Sequence, residues 1–144
     1  MLFRSGISVV IPNFNGENIL PVIMPSVFNS LLFTNVPFEI IVADDCSTDN
    51  SVLFLRNTYP EIIIIESDEN LGFAPTINKG IFLAKNDLVF LLNNDVKISK
   101  DYFVHQFRYF EKEDTFGVMG RIIGWDDDNI QDGAKYPEIG RAHV

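Results

Sequence analysis

The sequence holds a single cysteine, Cys46, and only two histidines, His105 and His143. One cysteine excludes an intrachain disulfide and a cysteine-rich zinc site, and it fits an intracellular address. The histidines lie too far apart for any short metal-ligand spacing. Positive charge is scarce as well: eleven Lys and Arg face twenty Asp and Glu, a formal net charge of −9. That balance opposes general affinity for nucleic acid or for an anionic lipid surface. No apolar run approaches the roughly eighteen residues of a membrane-spanning helix, and the N-terminus lacks the charged-then-apolar pattern of a signal peptide. Repeats, low-complexity tracts and linkers are missing too, so residues 1–144 read as a single domain.

What is present is enough for a core, with 47% apolar residues and thirteen phenylalanines. Residues 7–11 form a β-branched, apolar first strand, which Pro12 is expected to end by removing a backbone donor. After the turn chemistry of residues 13–16, apolar residues from Ile19 to Leu32 recur at helical spacing. Pro21 suits a first helical turn, whereas Pro25 predicts a kink or a second start. Residues 38–43 form a second strand that runs into Asp44 and Asp45, followed by a helix with Ser47 or Thr48 as its N-cap. Four consecutive isoleucines, Ile62 to Ile65, predict a third strand buried on both faces and therefore parallel. A helix over residues 73–84 and a fourth strand over 88–92 follow.

Ser99 is then expected to cap a helix whose Tyr102, Phe103, Phe107 and Phe110 form an aromatic stripe for core packing. Short strands are expected over residues 116–120 and 121–124, and Asp126, Asp127 and Asp128 read as a solvated hairpin turn. Strands alternating with helices predict an α/β fold, a mostly parallel sheet flanked by helices. The final twenty residues read as hairpin or loop, which suggests a C-terminally truncated chain.

The stretch from Leu88 to Val96 carries the functional signal. Five apolar residues stop abruptly at Asn93, Asn94 and Asp95, which therefore emerge together at the carboxyl end of a strand. Open α/β sheets bind their ligands there. Asp44 and Asp45 close a second strand at the same edge, and Pro12 and Asn13 close a third. Either acidic cluster alone fits helix-entry capping or turn formation; their convergence favours a site. A carboxylate at such an edge, in an acidic chain, suits a divalent cation that binds a phosphorylated substrate.

These residues resemble family 2 of the nucleotide-diphosphate-sugar glycosyltransferases, which have the GT-A (Rossmann-like) fold. The likeness runs through residues 7–15, 41–51, 69–73, 78–80 and 90–96, and continues into 117–120 and 130–133. The resemblance implies that Pro12 and Asn13 line the nucleotide pocket. It also implies that Asp44 or Asp45 accepts a hydrogen bond from the base, with Asp44 preferred. Asn93, Asn94 and Asp95 occupy the position of the family's Asp-x-Asp motif, making Asp95 the ligand for Mg²⁺ or Mn²⁺ and placing Asn93 near the ribose. Asn78 and Lys79 belong to the segment that contacts the nucleotide sugar, with Lys79 the nearby cation that can face a phosphate. The metal would offset charge on the departing diphosphate.

Two departures stand out: Asn93 replaces the first acid of the motif, and Ile77 stands where many members carry an arginine. The resemblance implies an inverting transfer to a saccharide or lipid-linked acceptor, with the catalytic base beyond residue 144. It further implies cell-surface polysaccharide or glycan assembly, in the cytoplasm or peripherally at the inner face of the membrane. Cys46 reads as a small buried residue rather than a nucleophile. A non-catalytic nucleotide-sugar-binding module shares this pattern. A receiver-like signalling domain fits less well, because its acidic pair would follow the first strand and a lysine would end the last.

Overall fold

The structure is a computed structural model that describes residues 6–124 and the short strand Ile130–Gln131. Elements alternate as β1 (Ile7–Asn13), α1 (Leu20–Thr34), β2 (Phe38–Asp44), α2 (Ser51–Thr58), β3 (Ile63–Glu66), α3 (Phe73–Leu83), β4 (Leu88–Leu91) and α4 (Tyr102–Phe107). A 3₁₀ turn follows at Arg108–Glu111, and β5 (Ile122–Ile123) pairs antiparallel with β6 (Ile130–Gln131). The first four strands form one parallel sheet in the order β3-β2-β1-β4, as their apolar character and helical crossovers predict. The central β1 is buried from Ile7 through Ile11.

Alternation along the strands divides the core into two layers. Ile7, Val9, Ile11, Ile40 and Val42 face α1, α2 and α4, where Ile23, Met24, Val27, Leu31, Leu55 and Phe103 fill the space. Each such fully buried aliphatic or aromatic side chain contributes about 1.5–3 kcal/mol. Val10 and Ile41 face the other way and meet Ile77 of α3. The aromatic stripe of α4 packs as expected at Phe103, whose ring meets Phe90 edge-on at 5.0 Å.

Gly80 sets the distance between α3 and the sheet. A Cβ at this position would run into Val10 Cγ1, and it would lie 3.7 Å from Ala43 Cβ. Overpacking of this kind costs about 1–3 kcal/mol, and the better helix propensity of alanine recovers up to about 1. Gly80→Ala is therefore expected to cost a net of about 1–2 kcal/mol of stability, read from lower thermal and urea midpoints. An unchanged midpoint would show that α3 lifts off the sheet without loss.

Several local expectations are corrected. Pro12 does not end β1, which runs on to Asn13. Leu92 N donates to Val10 O and Asp45 N to Asn13 O, so Pro12 faces β4, whose pairing stops at Leu91. No ladder donor is needed there. Pro25 neither restarts nor divides α1. The carbonyl that loses its partner belongs to Pro21, and both prolines are exposed to water.

β3 is parallel, but it sits at the sheet edge and Ile63 to Ile65 are only half-buried. β4 likewise alternates, with Val89 and Leu91 exposed. Neither Ser47 nor Thr48 caps α2, which starts at Ser51, and Ser99 lies three residues before α4 begins. Phe116 is fully exposed and residues 116–120 form no strand. The turn expected at Asp126, Asp127 and Asp128 lies outside the described residues. Among the described residues, no helix is long and apolar enough to cross a membrane.

Candidate functional site

Parallel pairing brings the carboxyl ends of β1, β2 and β4 to one edge, and Asn13 ties them together. Its side chain is 1% exposed. The Asn13 amide donates to Asp44 Oδ1 at 2.7 Å, to Ser51 Oγ at 3.0 Å and to Ser47 Oγ at 3.2 Å. Its oxygen accepts from Asn94 Nδ2 at 3.2 Å. A buried amide with both ends satisfied fixes the relative height of the strands it bridges.

The two adjacent carboxylates at the carboxyl end of β2 point to different places. Asp44, at 2% exposure, stays at the strand-end cluster, where it also accepts from Ser47 N at 2.9 Å and Ser47 Oγ at 2.6 Å. Three donors leave about one lone-pair position of the carboxylate open. Asp45 turns to α3 and accepts from Leu71 N at 2.7 Å, Gly72 N at 2.9 Å and Thr76 Oγ1 at 2.8 Å. A carboxylate from another segment thus caps this helix, and Gly72 supplies the left-handed turn, φ 83°, that aims the amides at it. Burial pushes the Asp45 carboxyl up, but the donors from Leu71, Thr76 and Gly72, together with positive Lys79, hold it below its ordinary value.

The remaining expected residues are spread around this cluster. Pro12 is half-buried beside it. Asn93 and Asp95 are exposed in the turn after β4, which Val96 N closes on Asn93 O at 3.2 Å. Lys79 reaches away, donating to Ser67 Oγ at 2.9 Å beyond β3. Asn78 is exposed on α3 and makes no hydrogen bond to the strand-end cluster among the described residues. Cys46 is half-buried with φ 63°, so it is not the buried packing residue expected from sequence. Ser51 and Thr76 were not singled out by sequence reasoning. The spacing of Asp49 and Ser51 does carry an Asx-turn signal.

The donor chemistry suits Mg²⁺ or Mn²⁺. Among the described residues no group of three or more His, Cys, Asp and Glu is placed to enclose a metal. The exposed Asp95 offers a hard oxygen ligand, the type that such cations combine with substrate phosphates and water. Among the described residues Asp95 could therefore hold such a cation, but with no protein cage around it.

A family model described as glycosyl transferase family 2 matches residues 8–141. The chain belongs to this family. A poly(ribitol-phosphate) beta-glucosyltransferase of Bacillus spizizenii is 28% identical over 123 residues, covering 82% of this chain and 19% of the relative. Among solved structures of the family's GT-A fold, S. aureus TarS 1-349 in complex with UDP-GlcNAc superposes with a TM-score of 0.65 and 21% identity. It covers 74% of this chain and 31% of that one. A mannosyltransferase from Pyrobaculum calidifontis, in complex with GDP-Man and Mn²⁺, gives 0.67 and 19%, covering 78% and 34%. The family 2 chain described here therefore spans about a third or less of the length of these proteins. The match also removes the receiver-like reading.

Proposed function

We propose that this chain forms the donor side of a glycosyltransferase and binds a nucleoside-diphosphate sugar together with Mg²⁺ or Mn²⁺. One observation carries the reading: buried Asn13 joins the ends of β1, β2 and β4, bringing Asp44 and Asn94 to one edge with Asp95 exposed beside them. Asp44 accepts a hydrogen bond from the base, and Pro12 and Asn13 line that end of the pocket. Asn93 and Asn94 face the ribose, and Asp95 faces the cation. Asn78 and Lys79 on α3 flank the nucleotide. Asp45 acts through α3 by fixing its first turn.

When bound, the cation would supply positive charge against the diphosphate as the bond to the sugar breaks. The residues named here orient the donor so that its anomeric carbon is open to an acceptor hydroxyl. Attack from the face opposite the diphosphate forms the new C–O bond with inversion while the nucleoside diphosphate departs. The related poly(ribitol-phosphate) beta-glucosyltransferase supports a hydroxyl-bearing polymer as the acceptor. The acceptor-activating base is not assigned to any residue of this chain.

The test is calorimetric titration of the chain with UDP, GDP and dTDP, each with and without Mn²⁺. Mn²⁺-dependent binding of one nucleotide is expected. If none of the three binds with or without the metal, the donor-site reading fails.

A further inference from the structure

The loops that follow β1 and β2 are laced together by side chains outside the strand-end cluster. Asn15 donates its backbone N–H to Ser47 Oγ at 2.9 Å, and its own side-chain oxygen accepts from Thr48 N at 2.8 Å. Glu17 N donates to Asp49 Oδ2 at 2.9 Å, and Glu17 Oε1 accepts from Asn50 Nδ2 at 2.8 Å. Each of these bonds joins residues 32 or 33 positions apart, so none arises from local turn formation. Asn15 adopts φ 52°, a left-handed conformation that asparagine tolerates better than most residues.

We infer that Asn15, Glu17, Asp49 and Asn50 form a clasp of positioning residues for nucleotide binding. The inference rests on the donor-site reading above. The clasp reaches the base-facing groups by two short routes. Through Ser47, which receives the Asn15 N–H, it sets the hydroxyl that donates to Asp44 Oδ1 at 2.6 Å. Through Asp49, whose Oδ1 accepts from Ser51 N at 3.0 Å and from the Ser51 hydroxyl, it sets the oxygen that receives the Asn13 amide at 3.0 Å. Asp44 and Asn13 thus take their orientation from loops that the clasp, together with the bonds from Asn13 to Ser47 and Ser51, holds in register. Burial pushes the Asp49 carboxyl up, but donors from Ser51 and Glu17 outweigh it and keep the group ionised and accepting.

Asn15 and Asn50 are exposed and Glu17 is half-buried, so the clasp lies at the surface. Its loss changes the aim of Asp44 more than the stability of the fold.

The experiment compares wild type with Glu17→Ala, Asn50→Ala and Glu17→Gln by calorimetric titration with UDP, GDP and dTDP in Mn²⁺. Wild type is expected to rank the three bases. Glu17→Ala and Asn50→Ala are expected to weaken the preferred nucleotide about tenfold and to narrow the ratio between preferred and disfavoured bases. Glu17→Gln keeps a carbonyl acceptor for Asn50 and should recover much of both.

A partly unfolded variant would lose binding sites for all three nucleotides in proportion and leave the ratio intact. The ratio therefore separates positioning from stability. Unchanged affinity and ratio in Glu17→Ala would overturn the clasp while leaving the donor site standing. A wild type that binds none of the three, or all three alike, would overturn the assignment of Asp44 to the base, and the clasp with it.

Discussion

Asp95→Ala is expected to abolish the Mn²⁺-dependent part of nucleotide binding, a loss of about 100-fold or more, while leaving metal-free affinity unchanged. The size follows from how little carboxylate the proposed site would offer a cation. Asn93 stands where a second acid would share the load, and among the described residues no acidic group of three or more exists to replace Asp95. In the proposed site a cation would rely on Asp95 for its protein charge and on substrate phosphates for the rest, so the loss of that carboxylate would not be made good. Asp95→Asn, which keeps an oxygen but loses the charge, should fall between wild type and Ala. Asp95 is exposed, so neither change should disturb the fold. Calorimetry with and without Mn²⁺ reads the effect directly, and equal Mn²⁺-dependent affinities in wild type and Asp95→Ala would remove this residue from the metal site.

The second large effect is on stability. Asp45→Asn is expected to cost about 2–3 kcal/mol, which lowers the melting temperature by about 10 °C. Both Asp45 oxygens accept hydrogen bonds, from Leu71 N and Thr76 Oγ1 on one side and Gly72 N on the other. An amide of the same shape turns one acceptor into a donor and sets it against an N–H.

The pH dependence carries a definite sign. Because the folded-state carboxyl lies below its ordinary value, its contribution is complete above the unfolded value of about 3.9 and is lost as pH falls through the folded one. The gap between wild type and Asp45→Asn should therefore close below about pH 4, and thermal melts across pH 3–7 would show it. A gap that stays constant through that window would mean that Asp45 is not ionised in its cap. Asp49 has the same direction of shift and adds to the acid sensitivity of the wild type.

Periodicity revealed the alternation of strands and helices because each crossover buries one helical face on a parallel sheet. It also brought Asn13, Asp44 and Asn94 to one edge. The isoleucines of β3 did not reveal their place in the strand order, since an apolar run reports local preference for an extended chain and not which neighbours it gains. Ser47 and Thr48 looked like helix caps because their hydroxyls precede apolar residues. In the fold, Ser47 bonds Asp44 and Asn13 and Thr48 bonds Asn15, so α2 begins only at Ser51. Partners more than thirty residues away cannot be read from a local window. The same holds for Asp45, whose carboxylate looked like an entry to α2 and instead closes α3.

Pro12 has a consequence for the shape of the opening above the sheet. At its height β1 is paired only with β2, because β4 has already stopped, and the ring nitrogen presents nothing for another extended segment to grip. A backbone amide there would leave a dangling contact point and invite a neighbouring chain to zip the gap shut. With proline in place the notch between β1 and the departing β4 chain stays unzipped. Its walls are then side chains, Asn13 and Asn94, joined by a hydrogen bond and not by a backbone ladder.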